Sequence, residues 1–88
     1  MTWRIKYALS VQKSVTKLNP QVRQRLRDYL EKRIANLDDP RHVGKPLKGQ
    51  HRELWRYRVG DYRIICEIQD DTLVVLVIRI GHRKEVYR

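Results

Sequence analysis

Apolar residues recur along this chain with a strand-like period, then a helical one, then a strand-like one again. Trp3, Ile5, Tyr7 and Leu9 alternate with polar neighbours, which predicts a first strand over Trp3 to Leu9. Ser10 has the character of a helix N-cap, and Val11, Val15 and Leu18 follow at spacings of four and three on one helical face. Asn19-Pro20 ends that helix and opens another, because proline at a first helical position gives up an N–H that would have no partner there. Val22, Leu26, Leu30, Ile34 and Leu37 then form an apolar stripe. The other side carries Arg23, Arg27, Asp28, Glu31 and Lys32, with Arg27/Glu31 and Asp28/Lys32 four residues apart. The stripe reads as core packing against a sheet. A helix lying on a membrane surface is the alternative, and the mixed charges weigh against it.

Asp38-Asp39-Pro40 closes the helix, and Arg41 to Gln50, with glycines, Pro46 and basic residues, reads as a loop. From Leu54 the period is two: Trp55, Tyr57 and Val59 point one way, Leu54, Arg56 and Arg58 the other. Gly60-Asp61 is a two-residue hairpin connection, which sets Val59 opposite Tyr62, Arg58 opposite Arg63 and Tyr57 opposite Ile64. Arg56, Arg58 and Arg63 therefore share a face. Like charges opposed across a ladder destabilise it by up to ~1 kcal/mol. The face is either a solvated basic surface or the seat of an anion.

The second strand continues through Ile64, Ile65, Cys66, Glu67 and Ile68, and Asp70-Asp71 marks a turn. Thr72 to Ile80 is a nearly continuous β-branched apolar run, the pattern of a central strand. The order β-α-α-β-β-β predicts an α+β domain: a small, mainly antiparallel sheet with an N-terminal helical hairpin on one face. In this register the helices lie against Tyr57, Tyr62, Ile64, Cys66, Val75 and Val77. Ile65, Val74, Leu76, Ile78 and Ile80 share the arginine face and form an apolar patch beside it, of the kind that marks a partner site.

Composition narrows the function. Eighty-eight residues make one domain, 1–88, with a modest core. Lys and Arg number 20 against 10 Asp and Glu, a net charge of +10, which points first to nucleic acid and then to an acidic protein or a membrane surface. No export signal or membrane-spanning run is expected, so the chain reads as cytoplasmic. Cys66, the single cysteine, reads as a small core residue. His42, His51 and His82 match no ligand spacing, so no metal and no cofactor is expected.

Arginines together with a tyrosine near the C-terminus suit cleavage of RNA by its own 2′-hydroxyl. That reaction needs a base, cations for the phosphorane charge and an acid for the leaving oxygen. Tyr87 would serve as base only if neighbouring cations lowered its pKa from ~10. Its other reading is an aromatic packed on the sheet.

Leu47-Lys-Gly49, Leu54-Trp-Arg-Tyr-Arg-Val-Gly-Asp-Tyr-Arg63, Ile80-Gly-His-Arg83 and Glu85-Val-Tyr87 together resemble the RelE family of the RelE/ParE toxin superfamily. The resemblance runs through nearly the whole chain. It implies the toxin of a type II toxin–antitoxin pair that cleaves mRNA in the ribosomal A site, leaving a 2′,3′-cyclic phosphate. Arg56 and Arg58 stand where the family often has phosphate-contacting lysines, and Arg63 matches its transition-state arginine. Arg83 matches the proposed acid or leaving-group stabiliser, and Tyr87 the proposed base; His82 and Lys48 are accessory candidates. Lys45, Lys48, Arg52, Arg56 and Arg58 are the expected RNA contacts. Implied partners are mRNA and rRNA on the ribosome, and a cognate antitoxin whose apolar anchors and acidic residues would cover the patch. A ParE-like, non-catalytic inhibitor of DNA gyrase and a basic RNA-binding domain that never cleaves are the competing readings. Strand parity places Arg83 on the face opposite the other arginines unless a bend or bulge near Gly81 intervenes.

Overall fold

Residues 2–48 and 53–82 are described by the computed structural model. In chain order the elements are β1 (Arg4–Tyr7), α1 (Leu9–Val15), α2 (Pro20–Asp28), β2 (Lys45–Pro46), β3 (Leu54–Val59), β4 (Tyr62–Gln69) and β5 (Val74–His82). The five strands form one sheet in the order β1-β5-β4-β3-β2, parallel between β1 and β5 and antiparallel elsewhere. This is the predicted α+β architecture with one strand more. Lys45–Pro46, expected as loop, pairs with Trp55 and Arg56 at the sheet edge, a place where proline's missing N–H does no harm.

The first strand is shorter than Trp3 to Leu9, and Ser10 is not the cap. The Ala8 N–H extends the sheet pairing to the Val77 carbonyl at 2.9 Å, while the Ala8 carbonyl receives the Val11 and Gln12 N–H groups at 3.0 Å. Ala8 is thus the N-cap and Leu9, 73% exposed, the first helical residue. Asn19 caps α2, its side-chain oxygen accepting the Gln21 N–H at 2.8 Å, and Pro20 takes the first helical position as expected. After Asp28 the helix widens into a π-helical stretch, Tyr29–Ile34, in which the Ala35 N–H reaches back five residues to the Leu30 carbonyl at 2.9 Å. The expected pairs Arg27/Glu31 and Asp28/Lys32 form on its outer side at 3.9 and 3.4 Å.

Leu26, Leu30 and Ile34 from the helical stripe, joined by Val11, pack on Tyr57, Ile64, Cys66, Val75 and Val77, all of them buried. Tyr57 is fully buried, and its hydroxyl donates to the Pro40 carbonyl at 2.8 Å, fastening the segment after the helix to the sheet. Arg41 braces the same segment. Its guanidinium pairs with Asp39 at 3.0 Å, with Asp70 at 2.6 Å and with Glu53. These bonds hold the Arg41 proton above the ordinary range, hydrogen bonding to Glu53 contributing most.

The β3–β4 register is the predicted one: Val59 faces Tyr62, Arg58 faces Arg63 and Tyr57 faces Ile64. Gly60 supplies the positive φ, 58°, that the tight turn requires. The β4–β5 ladder departs from the expected parity. Cys66 pairs with Val77 but Ile65 with Arg79, so Ile78 is the extra residue of a bulge. Beyond it the faces exchange. Ile80, expected on the arginine face, pairs with Ile64 and packs against the core, while Arg79 and Gly81 pair with Ile65 and Arg63.

The expected open apolar patch is largely closed. Leu54, Ile65 and Val74 on the arginine face are 7%, 6% and 2% exposed, and only Leu76 and Ile78 remain half-buried. Ile65 has Arg56 beside it on one strand and Arg79 on the other, and the aliphatic stems of such side chains cover apolar surface well.

Candidate nucleic-acid interface

Three arginines are brought together by one hairpin. Alternation along β3 puts Arg56 and Arg58 on the face away from the helices, and the turn at Gly60-Asp61 returns Arg63 directly opposite Arg58. Lys45 joins them because β2 pairs it with Arg56. A cavity of about 340 Å³ is lined by Lys45, Arg56, Arg58 and Arg63 together with Gly44 and Tyr29.

The exposures differ in a way that matters. Arg58 is exposed and Arg56 half-buried, whereas Arg63 is buried, at 9% exposure. Arg63 Nη1 makes one long hydrogen bond, to the Tyr62 carbonyl at 3.5 Å, and no carboxylate pairs with Arg63 among the described residues. A buried cation costs folding free energy unless an anion meets it. The arrangement suits a phosphate, which takes bidentate contacts from guanidinium groups.

Other candidate residues fall elsewhere. Lys48 is exposed in the turn after β2. His82 pairs with Tyr62, its ring edge-on at 5.9 Å, and so lies on the helix side of the sheet rather than with the arginines. Arg52, Arg83 and Tyr87 lie outside the described residues, as does His51. The bulge at Ile78 changes the parity argument nonetheless. Odd-numbered positions of β5 from Arg79 to Gly81 share the arginine face, the reverse of the parity before the bulge. Arg79 had not been singled out from the sequence, although a lone charge inside the run from Thr72 to Ile80 was the signal that this strand could not keep one parity throughout. Gly44 and Tyr29 were missed as well, because nothing local ties them to the arginines. A Cβ on Gly44, at φ +84°, would meet the Arg56 carbonyl at 2.7 Å and the Tyr57 ring at 2.8 Å, so only glycine lets the chain pass this close to β3.

Two helices on a five-stranded, mostly antiparallel sheet make the α+β fold of the RelE structures. The family described as the ParE toxin of the type II toxin–antitoxin system parDE matches residues 5–87, and the chain belongs to it. Among curated relatives, the chain is 30% identical over 86 residues to Toxin RelE3 of Methanocaldococcus jannaschii, covering 96% of this chain and 94% of that protein. It is 28% identical over 89 residues to Toxin RelG of Mycobacterium tuberculosis, covering 100% and 99%. The fold is that of the toxin–antitoxin complex RelBE2 from M. tuberculosis, at a TM-score of 0.84 and 22% identity over 97% of this chain and 95% of that one. The archaeal RelE–RelB complex from Pyrococcus horikoshii OT3 aligns at a TM-score of 0.70 and 28% identity, over 98% and 100% of the two chains. This chain is thus a type II toxin of the RelE/ParE superfamily.

Proposed function

We propose that the chain, as one toxin domain spanning 1–88, is a ribosome-dependent endoribonuclease of the cytoplasm that cuts mRNA in the A site. The observation that carries this reading is Arg63, buried without a carboxylate partner among the described residues and walled by Lys45, Arg56 and Arg58. A binding module that only needs surface charge has no use for a cation held under cover, whereas a developing phosphorane charge has.

In the proposed reaction the 2′-oxygen attacks the adjacent phosphorus and the bond from phosphorus to the 5′-oxygen breaks. The products are a 2′,3′-cyclic phosphate and a 5′-hydroxyl. Arg63 neutralises the charge that builds on the non-bridging oxygens, and Arg56 and Arg58 fix the phosphate. Tyr87, as phenolate among these cations, accepts the 2′-hydroxyl proton. Arg83, as acid or leaving-group stabiliser, meets the departing 5′-oxygen, which becomes the hydroxyl by taking a proton from Arg83 or from water.

A cognate antitoxin belongs to this proposal, since the compared structures from M. tuberculosis and P. horikoshii are complexes with RelB antitoxins. The second reading, a gyrase inhibitor, is favoured by one observation: the matching family is described by ParE. Mapping transcript ends after induction separates them. Internal cuts in phase with codons support the nuclease, a DNA-damage response with intact transcripts supports the gyrase inhibitor, and neither result leaves a non-cleaving RNA binder.

A further inference from the structure

We propose that Tyr29 is a stacking platform for the RNA base next to the phosphate held by the arginine cluster; this rests on RNA being the ligand. Tyr29 comes from the helical layer, at the start of the π-helical stretch, yet it lines the 340 Å³ cavity beside Arg56, Arg58 and Arg63. It also lines an open cleft of about 730 Å³ that runs along the helix past Arg25, Lys32 and Arg33 to Gly60. Tyr29 and Arg58 are the two residues common to both. A strand leaving the arginine face for the helix side therefore crosses them.

The second cleft is itself suited to a polyanion. Its one acid, Asp28, is engaged by Gln24 at 2.8 Å and Lys32 at 3.4 Å, and no carboxylate pairs with Arg25, Arg33 or Arg58 among the described residues. Phosphates on either side of Tyr29 would thus both find cations.

The ring is prepared for stacking. It is half-buried and held edge-on against Tyr57 at 6.4 Å and 63°, and Tyr57 is itself fixed by its bond to Pro40. A ring already immobilised loses little entropy when a base settles on it. Its hydroxyl makes no hydrogen bond among the described residues, so the platform is the aromatic face. Any base offers such a face, and an adjacent arginine adds to the attraction.

The test is equilibrium binding to ribosomes programmed with mRNA whose 2′-hydroxyl at the cut is methylated, so that affinity is read without cleavage. An abasic residue is placed at each A-site position in turn. One abasic position is expected to weaken wild-type binding about tenfold, as loss of one base–aromatic stack does. Tyr29→Leu, which keeps an apolar side chain but removes the ring, weakens binding equally and adds nothing to that abasic substrate, while Tyr29→Phe stays near wild type. Equal binding by Tyr29→Leu and wild type, or losses that add, overturns the platform. A Tyr29→Phe variant as weak as Tyr29→Leu also overturns it. If wild type shows this Tyr29 dependence but leaves unmethylated mRNA uncut, the nuclease reading fails and the platform stands.

Discussion

Arg58 and Arg63 stand directly opposite each other across the β3–β4 ladder, the first exposed and the second buried. Two guanidinium groups in register oppose folding, so their retention in a small domain is a cost tied to the ligand. The same repulsion that weakens the hairpin raises the affinity for a phosphate placed between the two charges.

Arg58→Thr should raise the thermal midpoint while weakening cleavage. Removing the opposed charge contributes up to ~1 kcal/mol, which in a domain of this size moves the midpoint by about 4–8 °C at most. Losing one charged contact to phosphate lowers kcat/KM by about 10–100-fold. Thermal unfolding and cleavage on programmed ribosomes read the two effects. A lower midpoint with full activity would contradict the opposed-charge account.

Tyr87→Phe and Arg83→Ala should each slow single-turnover cleavage by about 10²–10⁴, the usual cost of a lost acid or base. Thermal midpoints should hardly move, because both residues follow the core strands. Cleavage at the wild-type rate by Tyr87→Phe removes the tyrosine as base.

Binding should weaken steeply with salt. Phosphate contacts from Lys45, Arg56, Arg58 and Arg63 give a slope of log K against log salt near ~−3, each contact on a single strand contributing ~−0.7. Titration in KCl measures it, and Arg58→Ala should reduce the slope by about one contact.

Stability should fall at both ends of the pH scale for separate reasons. Hydrogen bonding from Arg41 holds the Glu53 carboxyl below its ordinary 4.5, and the Arg41 backbone N–H holds Asp39 below 3.8. These depressed carboxyls stabilise the fold above those values and cease to do so as pH falls through their lower folded values. Burial raises the Tyr7 and Tyr57 hydroxyls above their ordinary 10.0. Their contribution is complete below pH 10 and is lost as pH rises beyond it, because the unfolded chain ionises first. Thermal midpoints measured from acid to alkaline pH should show both arms, and Arg41→Gln, which keeps the backbone N–H to Asp39, should reduce the Glu53 share of the acid arm.

Local rules accounted for much of this molecule. The stripe Leu26, Leu30, Ile34 determined the helix face, alternation from Leu54 to Val59 determined which arginines share a side, and Gly60-Asp61 determined the hairpin register. Each depends on neighbours within a few residues, where period and turn chemistry leave one solution. The bulge at Ile78, the edge pairing of Lys45–Pro46, the covering of Ile65 and the arrival of Tyr29 beside the arginines depend instead on residues far apart in the chain. A bulge is chosen by how two whole strands share faces. With Val75 and Val77 buried against the helices and Arg79 too costly to bury, one residue had to be left out of the ladder, and only the assembled sheet decided that it was Ile78.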